Sequence, residues 1–76
     1  MYTVSKICPM CNEMYDLTLM GEEENNYWSY WNGKGYIQDM LPSLNPVERE
    51  FIKTGYCPHC QEMLFGNGET DRVVKA

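Results

Sequence analysis

All four cysteines of this 76-residue chain fall in two Cys-x-x-Cys pairs, Cys8-Pro9-Met10-Cys11 near one end and Cys57-Pro58-His59-Cys60 near the other. Zinc takes four tetrahedral ligands, and a two-residue spacer lets both sulfurs of a turn reach one ion at about 2.3 Å. The pattern therefore predicts one structural zinc ion held by Cys8, Cys11, Cys57 and Cys60. Four protein ligands leave no open position for water or substrate, which makes such a site structural rather than catalytic. Proline after the first cysteine shapes each turn. Asn12 tolerates a left-handed conformation after the first, whereas Gln61 is a poorer fit than glycine after the second. His59, the only histidine, lies between two ligands and reads as an exposed turn residue.

A metal staple suits the chain's length. A domain near this size buries only about 60% of the surface its unfolded form exposes, so its core is marginal. The apolar fraction is 43%, but six Tyr, six Met and two Trp supply much of it, and Met fills gaps without specifying packing. The chain reads as a single domain over residues 1–76. Four thiolates also suit iron in a rubredoxin-like site, yet nothing in the sequence points to electron transfer. The formal charge is −5, from 11 acidic and 6 basic residues. Proteins that grip phosphate backbones carry the opposite sign, so the charge argues against direct nucleic-acid binding. No stretch approaches the ~18 consecutive apolar residues of a membrane span. The first residues have no apolar signal-like core, and paired thiols in a reducing compartment read as metal ligands. The expectation is a cytoplasmic protein with no membrane partner.

Residues 2–7 read as a strand leading into the first cysteine pair, and residues 13–20 as its return arm. Alternation puts Tyr15, Leu17 and Leu19 on one side and Asp16 and Thr18 on the other. Residues 21–26 read as a solvated acidic loop. Tyr27-Trp28-Ser29-Tyr30-Trp31 reads as an aromatic strand, with Tyr27, Ser29 and Trp31 on one face and Trp28 and Tyr30 on the other. A short helix over 36–41 follows, its stripe made of Ile37, Met40, Leu41 and Leu44; Pro42 ends it. A second helix starts at Asn45-Pro46-Val47-Glu48, where Asn45 can cap and Glu48 can reach back. Gly55 ends that helix. Residues 61–65 fit a helical turn or a strand. Residues 69–76 read as a loosely held tail, in which Val73 and Val74 could add an edge strand. Residues 12–56 separate the cysteine pairs, a longer spacer than common four-cysteine motifs have. The expected fold is a small α+β domain: zinc-ribbon-like hairpins joined by the four-cysteine site, with the aromatic strand and two short helices inserted between the pairs.

The stretch formed by Tyr36-Ile37-Gln38, Leu41-Pro42, Leu44, Glu48 to Ile52, Gly55 to Pro58, Cys60 and Leu64-Phe65 resembles small uncharacterised proteins of phages and mobile elements. The resemblance implies a phage or prophage origin and a host-interaction or regulatory role, and no activity. The aromatic segment also suits an interaction module. Trp28, Tyr30 and Trp31, with Tyr27, are the aromatic candidates for contact with an unknown protein partner. Arg49 and Lys53 are the cationic candidates, and Glu48-Arg49-Glu50 otherwise reads as the solvent face of its helix. The alternative role is a nucleic-acid-linked regulator or an acidic mimic of nucleic acid. A thiol–disulfide oxidoreductase is the weaker alternative. Its dithiol needs a preceding strand and a long following helix, and only residues 61–76 follow Cys60. No nucleophile triad, phosphate loop or hydrolase motif is present, so no catalytic residue is assigned and no enzymatic activity is expected.

Overall fold

The first cysteine pair forms the tip of a β-hairpin. In the computed structural model, which describes residues 1–76, β1 (Tyr2–Ile7) pairs antiparallel with β2 (Met14–Leu19), with Val4 opposite Leu17 and Ser5 opposite Asp16. The period-2 pattern of the sequence holds. Val4, Leu17 and Leu19 are buried on one face, while Ser5 Oγ donates to Asp16 Oδ1 at 2.6 Å on the other. A third strand, β3 (Val73–Lys75), pairs antiparallel with the other side of β2 and completes a sheet of order β1-β2-β3.

The chain has four helices: α1 (Glu22–Trp31), α2 (Ile37–Met40) and α3 (Pro46–Thr54) contribute to the core against the apolar face, while α4 (Pro58–Phe65) packs against α3 and carries Cys60 into the cysteine cluster. Leu17, Leu19, Ile37, Leu41, Leu44, Phe51 and Ile52 form the centre of the core, with Val4, Tyr27 and Val73 around them. The α+β class is as expected, but the aromatic segment is not a strand and residues 22–26 are not a loop. Both belong to α1. A short aromatic run fits either element by composition, because β-propensity reports packing context more than backbone preference. Two features favour the helix. Glu22, Glu23 and Glu24 lie in its first turn, where carboxylates complement the exposed N–H groups. The spacing of Tyr27, Tyr30 and Trp31 also puts three rings on adjoining parts of one helical surface. Tyr27 is buried, and its ring stands 6.2 Å from Trp31 and 5.8 Å from Tyr2.

α2 ends before Pro42 as the sequence predicts, and Ile37, Leu41 and Leu44 are buried. The capping box of α3 is complete: Glu48 N–H donates to Asn45 Oδ1 and Asn45 N–H donates to Glu48 Oε1, both at 2.9 Å. Glu48 does not lie on a solvent face, however. It is only 4% exposed, because the C-terminal segment folds over it. Thr70 donates its hydroxyl to Glu48 Oε2, and Asn45 Nδ2 donates to the Glu69 carbonyl at 3.0 Å. Gly68 passes so close to the first turn of α4 that a Cβ there would collide with the Pro58 carbonyl oxygen.

The C-terminal segment, expected to be loosely held, is thus an integral part of the fold. Its anchor is Arg72, whose Nη2 and Nη1 donate to Glu23 Oε1 at 2.6 Å and Oε2 at 3.0 Å. Arg72 Nη2 also donates to the Thr18 carbonyl at 2.9 Å, while Glu23 accepts from Met20 N–H and the Ser43 hydroxyl. One fork-shaped contact therefore ties the tail, α1, β2 and the α2–α3 connection together. Hydrogen bonding to Arg72 is the main cause that holds the Glu23 carboxyl down at about 2, from 4.5.

Because the Glu23 pKa is depressed on folding, its contribution is complete above the unfolded value and fades as the pH falls toward 2. Arg72→Met is expected to cost roughly 1–3 kcal/mol near neutral pH, below the value for a fully buried pair because solvent reaches the guanidinium. Thermal or urea unfolding checks this. The gap between variant and wild type should narrow as the pH drops below 4.5.

Candidate metal centre

The two cysteine pairs are shaped by different local rules. Cys8 follows β1 directly, and its N–H donates to the Glu13 carbonyl at 2.9 Å, carrying the hairpin ladder one step into the turn. Asn12 N–H donates to the Cys8 carbonyl at 2.8 Å, and Asn12 takes the left-handed conformation expected of it, with φ 61°. The second pair is not on a hairpin. Cys57 is the N-cap of α4 and Pro58 opens the helix, where a missing N–H is harmless. Cys60 N–H donates to Cys57 Sγ at 3.4 Å, and Gln61 N–H donates to the Cys57 carbonyl at 2.9 Å. The expected pair of ribbon hairpins is therefore one hairpin and one helix N-terminus.

Gly55 brings these elements together. It ends α3 with φ 87°, its N–H donating to the Phe51 carbonyl. It also lies against the Ile7 carbonyl, Lys6 and Pro9. The chain thus turns beside the end of β1 and enters Cys57 within two residues. The sulfurs of Cys8, Cys11, Cys57 and Cys60 all lie within 4.8 Å of one another. Cys11 Sγ and Cys57 Sγ, from opposite ends of the chain, are 3.8 Å apart. That is the edge of a tetrahedron with bonds of about 2.3 Å to its centre, the Zn–S distance. Cys8, Cys57 and Cys60 are buried and Cys11 is partly exposed. These four residues can hold a metal ion.

The thiols do not ionise alike. Burial opposes ionisation of Cys8, but backbone hydrogen bonds from Cys57, Cys11 and Met10 outweigh it and hold this thiol at about 6. Burial, together with hydrogen bonds to its three neighbours, pushes Cys60 up. A backbone hydrogen bond involving Glu13 favours the Cys11 thiolate, yet burial and the neighbouring Cys8 and Cys57 sulfurs raise it. A cluster of this kind gives up one proton readily and keeps others. A dication at its centre favours every thiolate at once, so metal binding must expel protons.

The surrounding residues were less legible. Tyr15 and Tyr56 pack against the cysteines. Burial, then hydrogen bonding to Cys57, pushes the Tyr15 hydroxyl up to about 12. Alternation puts Tyr15 on the same side of β2 as Leu17 and Leu19, but no sequence signal links it to the cysteines. Gln61, the poor fit of the sequence reading, is 2% exposed and acts as a clamp. Its Nε2 donates to the Val47 carbonyl at 3.0 Å and to the Tyr56 carbonyl at 2.9 Å, tying α4 to α3 one residue before Cys57. His59 is exposed, as expected.

The residues proposed for partner contact lie elsewhere. Trp28 and Trp31 are 46% and 47% exposed on α1, while Tyr30 is half-buried against the core. Lys6 Nζ stands 5.5 Å from the centre of the Trp31 ring. Lys53 is exposed on α3. Arg49 is half-buried, its Nη2 reaching the Pro42 carbonyl at 3.4 Å and its Nε buried without a hydrogen-bond partner. No helix is long and apolar enough to cross a membrane. No protein-family model, no curated protein and no solved structure matches the chain.

Gln61→Ala removes the clamp without touching a sulfur. It is expected to weaken metal binding roughly tenfold, at the lower end for residues that position ligands. Chelator competition, with the visible bands of bound Co²⁺ as readout, measures this. Because Cys11 and Cys60 hold their protons more tightly than a free thiol, affinity should rise with pH through neutrality. Metal addition to weakly buffered protein should release acid.

Proposed function

We propose that this protein is a structural-zinc module: one Zn²⁺ bound by Cys8, Cys11, Cys57 and Cys60 stabilises a small scaffold that presents an aromatic surface to a protein partner. The observation that carries this reading is the convergence of four sulfurs from both ends of the chain on one tetrahedron-sized cluster. Four thiolate donors suit zinc and leave no position for substrate, which favours a structural role. The half-exposed Trp28 and Trp31, flanked by Tyr30, support the surface, since large aromatics dominate interface energetics. Arg49 and Lys53, one turn apart on α3, would add cationic contacts at a second place. A phage or mobile-element origin, as implied by the resemblance of residues 36–65 in the sequence, would fit a host-directed or regulatory role.

The dithiol-oxidoreductase alternative draws less support. The Cys8 pair is followed by a strand, and the Cys57 pair is preceded by α3 and a glycine turn. Neither pair has the strand–dithiol–helix order that such chemistry uses.

Native mass spectrometry of protein produced with zinc should find one ion per chain. Structural zinc peptides gain roughly 10–16 kcal/mol from the metal, more than a core of this size supplies. Chelation is therefore expected to unfold the chain, with loss of circular dichroism and recovery when Zn²⁺ returns. Cys60→Ser should reproduce that loss at micromolar zinc. A metal-free chain that keeps its full structure would refute the staple. In dilute protein, acrylamide should quench both tryptophans; shielded indoles would remove the aromatic surface.

A further inference from the structure

β1 is an edge strand whose outer side is open. Cys8 N–H donates to Glu13, and Ala76 N–H to Met14. Antiparallel strands alternate between hydrogen-bonded and non-bonded pairs, so Tyr2, Val4 and Lys6 exchange bonds with β2. The N–H and C=O groups of Thr3, Ser5 and Ile7 then point away from the sheet, where the chain supplies no backbone partner. Gly55 lies against the Ile7 carbonyl, which leaves Thr3 and Ser5 as the free stretch. Proteins usually protect such edges with proline, a bulge, several charges or a short strand. β3, at the opposite edge, has only three residues. β1 has six, no proline, an unbroken register and a single charge, Lys6.

The flank of α1 beside this edge is aromatic. Tyr2 packs its ring 5.5 Å from Trp28, and Lys6 stands over Trp31. Tyr27 and Tyr30 turn toward the core, so the two indoles occupy the side of α1 that overhangs β1. One end of the patch therefore carries two electron-rich rings, and the other sets an ammonium group beside a ring. The strand itself adds no carboxylate to the patch, since none of residues 1–12 is acidic, although the chain as a whole carries −5.

We propose that this surface binds a second copy of the chain, forming a two-fold symmetric dimer through antiparallel β1–β1 pairing; the proposal rests on the reading of Trp28 and Trp31 as an interaction surface and names what covers it. A two-fold axis at Val4 places Thr3 opposite Ser5 of the second copy and satisfies all the free N–H and C=O groups of both residues. The same register sets Lys6 opposite Tyr2 of the second copy, beside its Trp28. Each end of the patch so meets its electrostatic complement, a cation against aromatic faces. The three-stranded sheet becomes six-stranded, and the α1 helices meet across the axis. Two half-exposed indoles offer about 100 Å² each, and with the strand the interface reaches on the order of 600 Å² per chain. A standard stable interface buries about 800 Å² per partner, so the dimer is weak and concentration-dependent.

Sedimentation equilibrium of the zinc-loaded protein tests this. The mass should rise from the monomer's 8.9 kDa at low micromolar concentration toward twice that value near millimolar concentration. Ser5→Pro removes an N–H that the monomer does not use and gives up only the exposed Ser5–Asp16 hydrogen bond, so it should keep its metal content and circular dichroism yet stay monomeric throughout. Amide exchange of the wild type gives a readout independent of any variant: Thr3 and Ser5 should gain protection as concentration rises. A monomeric mass across the range overturns the proposal, as does a dimer that leaves those amides unprotected or persists in folded Ser5→Pro. Acrylamide access in the dilute monomer separates the two readings. Quenched indoles with a constant monomeric mass sink the dimer alone, whereas shielded indoles sink the aromatic surface beneath it.

Discussion

The meeting of two sulfur pairs from opposite ends of the chain is the constraint on which the rest of the structure depends. Cys8 and Cys11 sit at the tip of a hairpin, and Cys57 and Cys60 at the first turn of α4. For their sulfurs to converge, everything between them must leave the end of β2, cover the sheet and return to the end of β1. α1, α2 and α3 make that circuit, and each buries its apolar residues against Val4, Leu17 and Leu19 on the way. The core and the sulfur cluster are thus mutually supporting. The helices pack because the chain returns, and the sulfurs meet because α3 packs and turns sharply at Gly55. In a chain this short, apolar burial alone leaves little margin, and a shared endpoint for both ends of the circuit removes many competing arrangements.

A second closure, made without sulfur, holds the C-terminal segment. Arg72 bridges to Glu23 and Thr18, while Thr70 and Glu69 meet Glu48 and Asn45. Glu48 serves two purposes at once. One carboxylate oxygen completes the cap of α3 and the other receives the tail, which is why an acidic residue can be almost completely buried here. A buried carboxylate is costly unless it is hydrogen-bonded, and here each oxygen accepts a hydrogen bond. The same segment places β3 on the sheet, so only β1 is left with a long open edge.

The resulting molecule separates its chemistry by location. The thiol cluster lies at one end of the hairpin, with Tyr15 and Tyr56 packed against it and Gln61 tying the adjoining backbone. The indoles and the free strand edge lie along one flank. A site with three of its four donors buried favours cohesion over reactivity, and the flank is where aromatic surface and unpaired backbone groups coincide. The proposed roles follow this division: zinc for integrity, the flank for association.

Local rules were legible in the sequence wherever the cause lay within a few residues. The hairpin and its inward face, the left-handed Asn12, the stop before Pro42, the capping box of Asn45 and Glu48 and the glycine end of α3 all follow from short-range sterics and hydrogen bonding. The four cysteines pointed to a metal-binding cluster by their paired spacing, since two Cys-x-x-Cys turns can supply all four ligands of one ion. The aromatic run did not reveal itself as a helix, because five residues cannot distinguish period 2 from period 3.6 when every side chain is large. That choice waited on the core, where Tyr27 is buried beside Tyr2. Nor could the sequence show that Gln61 ties α4 to α3, or that Arg72 reaches Glu23, because partners so distant in the chain are selected by packing. What the sequence by itself determined about this protein is its local elements and its four candidate ligands. The tertiary structure alone decided how the ends close, which aromatic rings stay exposed and which strand edge remains open, because each depends on contacts that exist only once the chain has returned upon itself.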